Sequence, residues 1–274
     1  MAVPSFLDTD FATSTTVNVL DMADVVTEID TMLTSTLPVA SRWTDLGGGE
    51  YRCPAQDPSG INRFFSVIFT ATSATRLRFQ CKDKSGATFH DGNIDRSGST
   101  TIKIFAGPYH VVVQSSYGTD EMGCCYMSDP TPFGLNQTNV YTFAWTYRNS
   151  AGTAYTSNNQ DAVASLVAND AGGTTPRARC AVWYVAGTGG VTDANGISAA
   201  GSTLCMPYEI SVINAVSTNV KWAGRAYQHL LVPDALGVGG VLTVPLDDGV
   251  TGDFEVLGFD SPPFGRGRLA VRVA

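Results

Sequence analysis

Charged residues are scarce in this chain of 274 residues, at 15% of the sequence against about a quarter in an average soluble protein. Basic residues are fewer than acidic ones: the chain has 17 Lys and Arg and 25 Asp and Glu, which gives a formal net charge of -8. Proteins that read nucleic-acid sequence carry the opposite excess, since they neutralise phosphates. We therefore expect no sequence-specific binding of DNA or RNA.

Long apolar runs are also missing from the sequence. The longest, Ala235 to Leu246, is interrupted by glycines and by Pro245, and it is shorter than the roughly 20 residues that a membrane-spanning helix needs. The first ten residues have neither the basic start nor the apolar stretch of a secretory signal. We expect synthesis in a cytosol and no membrane partner.

Histidine and cysteine, which supply many metal ligands and nucleophiles, number only three and six. The cysteines show no Cys-x-x-Cys spacing, and the chain has no Gly-x-Ser-x-Gly elbow, phosphate-binding loop or His-Glu-x-x-His motif. We predict no catalytic residues, no cofactor, no metal site and no enzymatic activity. A polysaccharide hydrolase stays open as the weakest alternative, because sequence spacing cannot show whether two carboxylates face each other across a cleft.

His110 and His229 fall within predicted strands and are expected to have structural roles, whereas His90 precedes Asp91 in a predicted turn. The acidic pairs, such as Asp91 with Asp95, lie in turn-like sequence where Asp is favoured for backbone reasons.

Cys124 and Cys125 are neighbours in the chain. Adjacent thiols do not easily bond each other, so one of the two could form a disulfide with another chain in an oxidising medium. The alternative is that both are buried thiols, which behave as small hydrophobic groups. Both interpretations stay open.

One amphipathic helix is predicted near the amino terminus, over about Asp21 to Thr36. Apolar residues recur there at the spacing of a helix face, from Met22 to Leu33. Asp21 is a suitable N-cap, and Pro38 marks the end of the helix. A helix with one apolar face is expected to lie on a sheet.

The rest of the chain is typical of β-structure. It holds 30 Thr, 21 Ser and 28 Gly, which favour strands and turns. Residues 76–82 alternate apolar and polar side chains, and Gly47, Gly48 and Gly49 predict a hairpin turn. We predict a mainly β fold of antiparallel, sandwich-like sheets with the single helix. Expected strands cover residues 63–72, 76–82, 100–106, 109–116, 140–147, 178–185, 208–214, 220–231, 240–245, 252–258 and 268–273.

Three segments depart from this strand pattern. Residues 118–133 contain Gly, Asp and Pro and predict a break, and residues 160–167 predict a turn or two of helix. Residues 15–20 predict a short strand or extended arm that leads into the helix. We expect an N-terminal arm over 1–20, a helix and β domain over 21–130, and a second β domain with a C-terminal tail over 131–274.

One predicted strand is unusually aromatic, and its aromatic residues alternate: Tyr141, Phe143, Trp145 and Tyr147. Such a row is typical of the core side of a sandwich. The alternative is a platform on which sugars stack.

The chain resembles the β-rich virion structural proteins of tailed bacteriophages. The features that carry the resemblance are the polar arm, the helix Asp21 to Leu33 followed by Arg42 to Gly48, the run Phe64 to Thr70, and the closing Val244 to Gly249. The resemblance implies a multicopy building block of the tail, the head-to-tail neck or collar, or the baseplate. It also implies a homo-oligomer that assembles in the bacterial cytoplasm, is located in the virion and has other virion proteins as partners.

Contacts with neighbouring subunits are expected at the two ends of the chain. The residues expected there are Phe6, Phe11, Arg266, Arg268 and Arg272. Arg outnumbers Lys by 13 to 4, and protein interfaces favour Arg in the same way. A carbohydrate-binding module for the host surface and a capsid decoration protein stay open as alternatives.

Overall fold

The structure is a computed structural model. The residues that it describes are 13–19, 21–54, 65–82, 86–95, 100–117, 121–128, 141–148, 163–168, 206–213, 220–233, 239–245, 251–257 and 267–273.

The predicted helix is confirmed. Helix α1 spans Met22–Thr31 and continues as a π-helical turn over Met32–Thr36. Asp21 is its N-cap, and Oδ1 of Asp21 accepts a hydrogen bond from the backbone N–H of Ala23 at 2.9 Å. The apolar face is fully buried at Met22, Val25, Ile29, Met32 and Leu33.

Replacing the cap tests how much this hydrogen bond stabilises the helix. We expect Asp21→Ala to lower the free energy of unfolding by about 1 kcal/mol, because an N–H of the first turn loses its acceptor. Asp21→Asn keeps a side-chain acceptor and should stay within a few tenths of a kcal/mol of the native chain. Urea unfolding curves measure both, and equal losses in the two variants would contradict this role for the side-chain oxygen.

The fold is mainly β, as predicted. The strands in the described residues are β1 Thr13–Val19, β2 Thr44–Gly47, β3 Glu50–Arg52, β4 Ser66–Ser73, β5 Arg76–Lys82, β6 Thr88–Asp95, β7 Thr100–Gly107, β8 His110–Tyr117, β9 Glu121–Ser128, β10 Tyr141–Arg148, β11 Val163–Ala168, β12 Met206–Ile213, β13 Val220–Pro233, β14 Val241–Pro245, β15 Thr251–Val256 and β16 Gly267–Arg272.

These strands form three antiparallel sheets. Sheet A has the order β1-β7-β8-β9-β10-β11, sheet B the order β2-β3-β4-β5-β6, and sheet C the order β12-β13-β16-β15-β14. Most neighbours in the sheets are also neighbours in sequence, which short antiparallel connections allow. Strand β1 pairs along its whole length with β7, so residues 13–19 form the edge of sheet A.

One hydrophobic core joins sheet A, sheet B and the helix. Phe69 and Phe79 of sheet B, Ile104 and Val113 of sheet A, and Ile29 of α1 are all fully or almost fully buried in it. Trp43 ties the two sheets together, because its ring packs edge-on against Phe65 and its Nε1–H donates to the carbonyl of Gly107 at 2.9 Å. A separate cluster on one face of sheet C contains Leu230, Val232, Phe254, Val256 and Ala270.

Three predictions of local structure were wrong. His90, Asp91 and Asp95 lie in strand β6 rather than in turns, and residues 121–128 form strand β9 within the expected break. Residues 163–168 form strand β11 rather than helix. In each case, pairing with a neighbouring strand outweighs weak local propensity. Strand β6 shows the reason most clearly, because His90 and Ile94 point into the core while Asp91 is exposed.

The predicted boundary between the two domains follows residue 130. Strands β9 and β10 lie on either side of this boundary and pair with each other in sheet A. The division into domains stays a prediction. The predicted strand over 178–185 lies outside the described residues.

Candidate functional site

Strand β14 forms one edge of sheet C. Its pairing with β15 is regular over all five residues, from Val241 opposite Glu255 to Pro245 opposite Thr251. Backbone bonds extend the pairing beyond the strand, since N–H of Gly239 donates to the carbonyl of Val256 at 2.8 Å. The side chain of Val241 is 57% exposed. Among the described residues, β14 is therefore an edge strand with an ordered backbone and an exposed apolar side chain.

The other edge strands with described side chains are less suited to pairing with a further strand. In β2 the register shifts between Asp45 and Gly47, so the exposed Leu46 lies at a bulge. A bulge makes an edge strand less able to pair with a further strand. Strand β6 contacts β9, β10 and β11, and its apolar Ile94 is buried. Of these three edges, only β14 combines an unbroken register with an exposed apolar side chain.

The outer face of sheet B carries charged groups that pair with one another. The guanidinium of Arg78 donates to both carboxylate oxygens of Asp91, at 2.9 and 2.5 Å, and Gln80 donates to the same carboxylate. The hydrogen bonds from Arg78 lower the pKa of Asp91 below its usual value. On the same face Nζ of Lys82 donates to Glu50 at 2.6 Å. These groups neutralise one another within the chain.

A buried histidine pair lies where sheet A meets sheet C. His110 begins β8 and His229 lies in β13; both are 0% exposed, and their ring centroids are 4.7 Å apart in an edge-on arrangement. A Cβ atom built on Gly107 would lie 2.3 Å from Cε1 of His110. The ring of His110 therefore occupies space that only a glycine at position 107 leaves open.

Within the part of the chain that the structure describes, neither ring nitrogen of His110 has a hydrogen-bond partner. Burial, together with the charge that His229 would carry, holds the pKa of His110 well below its ordinary value. The imidazole is therefore neutral at neutral pH. On the same face of sheet A as His110, Lys103 of β7 forms an ion pair with Glu255 of β15, which also joins sheet A to sheet C.

His90 is the third buried histidine and lies in the core of sheet B. Its ring is 5.5 Å from that of Phe79 between centroids, and only 2% of the residue is exposed. Burial lowers its pKa to about 4, against a smaller opposing effect of Asp91. Its surroundings are those of a packed core residue, whereas the sequence had placed it in a turn.

The residues predicted to contact other subunits fall in different places. Phe6, Phe11 and Arg266 lie outside the described residues, and Arg268 belongs to β16 opposite Val232. Arg272 is only 4% exposed, within an internal strand of sheet C. Interface roles for all five residues stay predictions.

The adjacent cysteines lie on an internal strand of sheet A. Gln114 of β8 is opposite Cys124, and Val113 is opposite Cys125. Because β9 is paired on both sides, this backbone is part of the sheet rather than an exposed turn. The side chains of both cysteines lie outside the described residues, and the inter-chain disulfide stays a prediction.

The side chains of the aromatic row in β10 also lie outside the described residues. Ala144, which separates Phe143 from Trp145, is buried in the core shared with sheet B. Sequence reasoning placed this strand correctly, but the choice between core packing and sugar stacking stays open.

The described residues contain no group of three or more His, Cys, Asp or Glu side chains placed to hold a metal ion. None of the helices in the same residues has the length and apolar character needed to cross a membrane.

No protein-family model matches the chain, and no curated protein matches it in sequence.

Proposed function

We propose that this chain is a structural building block of a tailed-phage virion, part of the tail or of the head-to-tail neck, that acts by packing against copies of itself and against other virion proteins. The observation that carries the proposal is the edge strand β14, with its regular register and the exposed Val241. An edge of this kind pairs with an added strand through its backbone, while its side chains give specificity.

The body of the chain suits this role mechanically. Sheets A and B share one core with α1, and we infer that they pack as a sandwich on which edges and loops are held in fixed positions. A subunit of a ring or sleeve needs such a body, because closed symmetry requires the same contact to recur at the same angle in every copy.

The edge of sheet C predicts the effect of a single substitution. We expect Val241→Lys to weaken self-association by at least tenfold, because a lysine on an edge strand places a charge where a second strand would have to desolvate it. The measurement is the oligomeric mass of the full chain over a range of concentrations, by light scattering, with negative-stain imaging of particle shape.

Val39→Lys is the matched control. Val39 is 78% exposed in the short helical turn Val39–Ser41 and belongs to no strand, so the same change of side chain should leave association at the β14 edge unaltered. A native chain that stays monomeric at all concentrations, with or without purified neighbouring virion proteins, would overturn the proposal. Equal losses in the two variants would show that β14 is not the contact. Binding of a glycan by a monomeric chain would favour the carbohydrate-binding alternative.

A further inference from the structure

The junction of sheets A and C differs in character from the two hydrophobic cores on either side of it. Strand alternation places Phe105 and Val112 on the face of sheet A that carries His110, and Val271 lies opposite His229 in sheet C. These three side chains are fully buried, yet the histidine pair and the ion pair lie among them. Titratable groups thus lie in the junction itself.

We propose that His110, packed against His229, is an acid-sensitive latch between sheets A and C, which is closed while the ring of His110 is neutral and opens when protonation draws this ring into water. The geometry carries the inference. The ring of His110 is fully buried, its nitrogens make no hydrogen bond within the described residues, and it packs directly against Gly107, where any side chain at position 107 would collide with it. A proton on this ring would have no acceptor among the described residues in the closed state.

The charged groups around the latch do not provide that acceptor. Lys103 reaches the junction from β7 and Glu255 from β15, but they already pair with each other. Asp253, farther along β15, accepts a hydrogen bond from Thr243. Arg272 of β16 is opposite Phe254, so it lies on the other face of sheet C. His229 itself would add a like charge.

The linkage between protonation and opening fixes the direction of the effect. In the open state a hydrated His110 binds a proton below about pH 6.5, whereas in the closed state its buried ring binds none until a much lower pH. Opening is therefore unaffected above that pH and is favoured about tenfold per pH unit below it. Because the cores of sheets A and B and of sheet C lie outside the junction, opening need not unfold either of them.

Amide hydrogen exchange of the full chain at pH 7.5 to 5, corrected for the intrinsic pH dependence of exchange, tests the latch. We expect protection of β8 and β13 to fall as pH drops below about 6.5, while β5 in the sheet B core stays protected. His110→Phe keeps a ring but removes one proton-binding group. For each unit by which pH falls, the logarithm of its equilibrium constant for opening should therefore rise by about one unit less than that of the native chain. His110→Gln serves the same purpose if the phenylalanine variant does not fold.

His90→Gln is the matched control, because it removes a buried histidine that lies away from the junction. It should keep the acid-dependent opening of β8 and β13. The latch is wrong if protection in the native chain is the same at pH 7.5 and 5, or if both His110 variants open with the native pH dependence. It is also wrong if His90→Gln abolishes the opening. None of these outcomes depends on self-association, so they are separate from the test of the proposed function.

Discussion

Phe79→Ala is expected to lower the free energy of unfolding by roughly 3–5 kcal/mol, a large part of the stability of a typical domain. Phe79 is fully buried in the core between sheets A and B, with the ring centroid of Phe69 at 5.3 Å and that of His90 at 5.5 Å. Truncation removes its buried apolar area and also leaves a cavity that strands on both sides cannot close. Urea unfolding followed by tryptophan fluorescence measures the loss.

Phe79→Leu is the matched control for this cavity. It keeps most of the apolar volume, so its loss should be clearly smaller than that of the alanine variant. If both variants lose the same free energy, the cost comes from the aromatic contacts rather than from the empty volume. A loss below 1 kcal/mol in the alanine variant would contradict the central position of Phe79 in the core.

Phe79→Ala should also change the pKa of His90. In the native chain the pKa of His90 is lowered to about 4 by burial, so the stabilisation from its neutral form is complete above pH 6.5 and is lost as pH falls towards 4. In Phe79→Ala, water entering the cavity should raise this pKa towards 6.5. Histidine resonances followed by NMR measure the shift, and an unchanged pKa would show that the cavity stays dry.

Much of the local structure could be predicted because it depends on residues close together in sequence. The helix follows from a spacing of apolar residues that is now seen buried at Met22, Val25 and Ile29. Strand β5 was predicted with its observed bounds, since alternate side chains face the core and solvent. The hairpin at Gly47–Gly49 follows from three adjacent glycines, all of which have positive φ.

The missed strands and the candidate surfaces depend on residues far apart in sequence. Strand β6 contains Asp91 and Gly92, which favour a turn locally, but Asp91 is held opposite β5 by Arg78. No local pattern indicates that His110 and His229 meet, because their contact follows from the packing of two sheets. The same holds for β14, whose sequence shows a strand but not that it ends a sheet.

Gly49→Ala is expected to lower the free energy of unfolding by roughly 2–5 kcal/mol, from two separate causes. The first is conformational, because Gly49 has φ of +78° and an L side chain in this region costs roughly 1–2 kcal/mol. The second is steric. A Cβ atom at Gly49 would lie 2.4 Å from the carbonyl oxygen of Phe69, which belongs to the backbone of β4 and cannot move without shifting the sheet.

Gly48→Ala separates the two causes within the same turn. Gly48 has φ of +65°, and no heavy atom would lie within 4 Å of a Cβ atom there, so its substitution carries the conformational cost alone. The difference between the two unfolding free energies therefore measures the steric cost at Gly49, where N–H of Phe69 also donates to the carbonyl of Gly49 at 3.0 Å. Equal losses would mean that β4 moves aside freely. That result would contradict a rigid hairpin of β2 and β3, because β4 is hydrogen-bonded to a strand on each side and its backbone cannot shift without breaking those bonds.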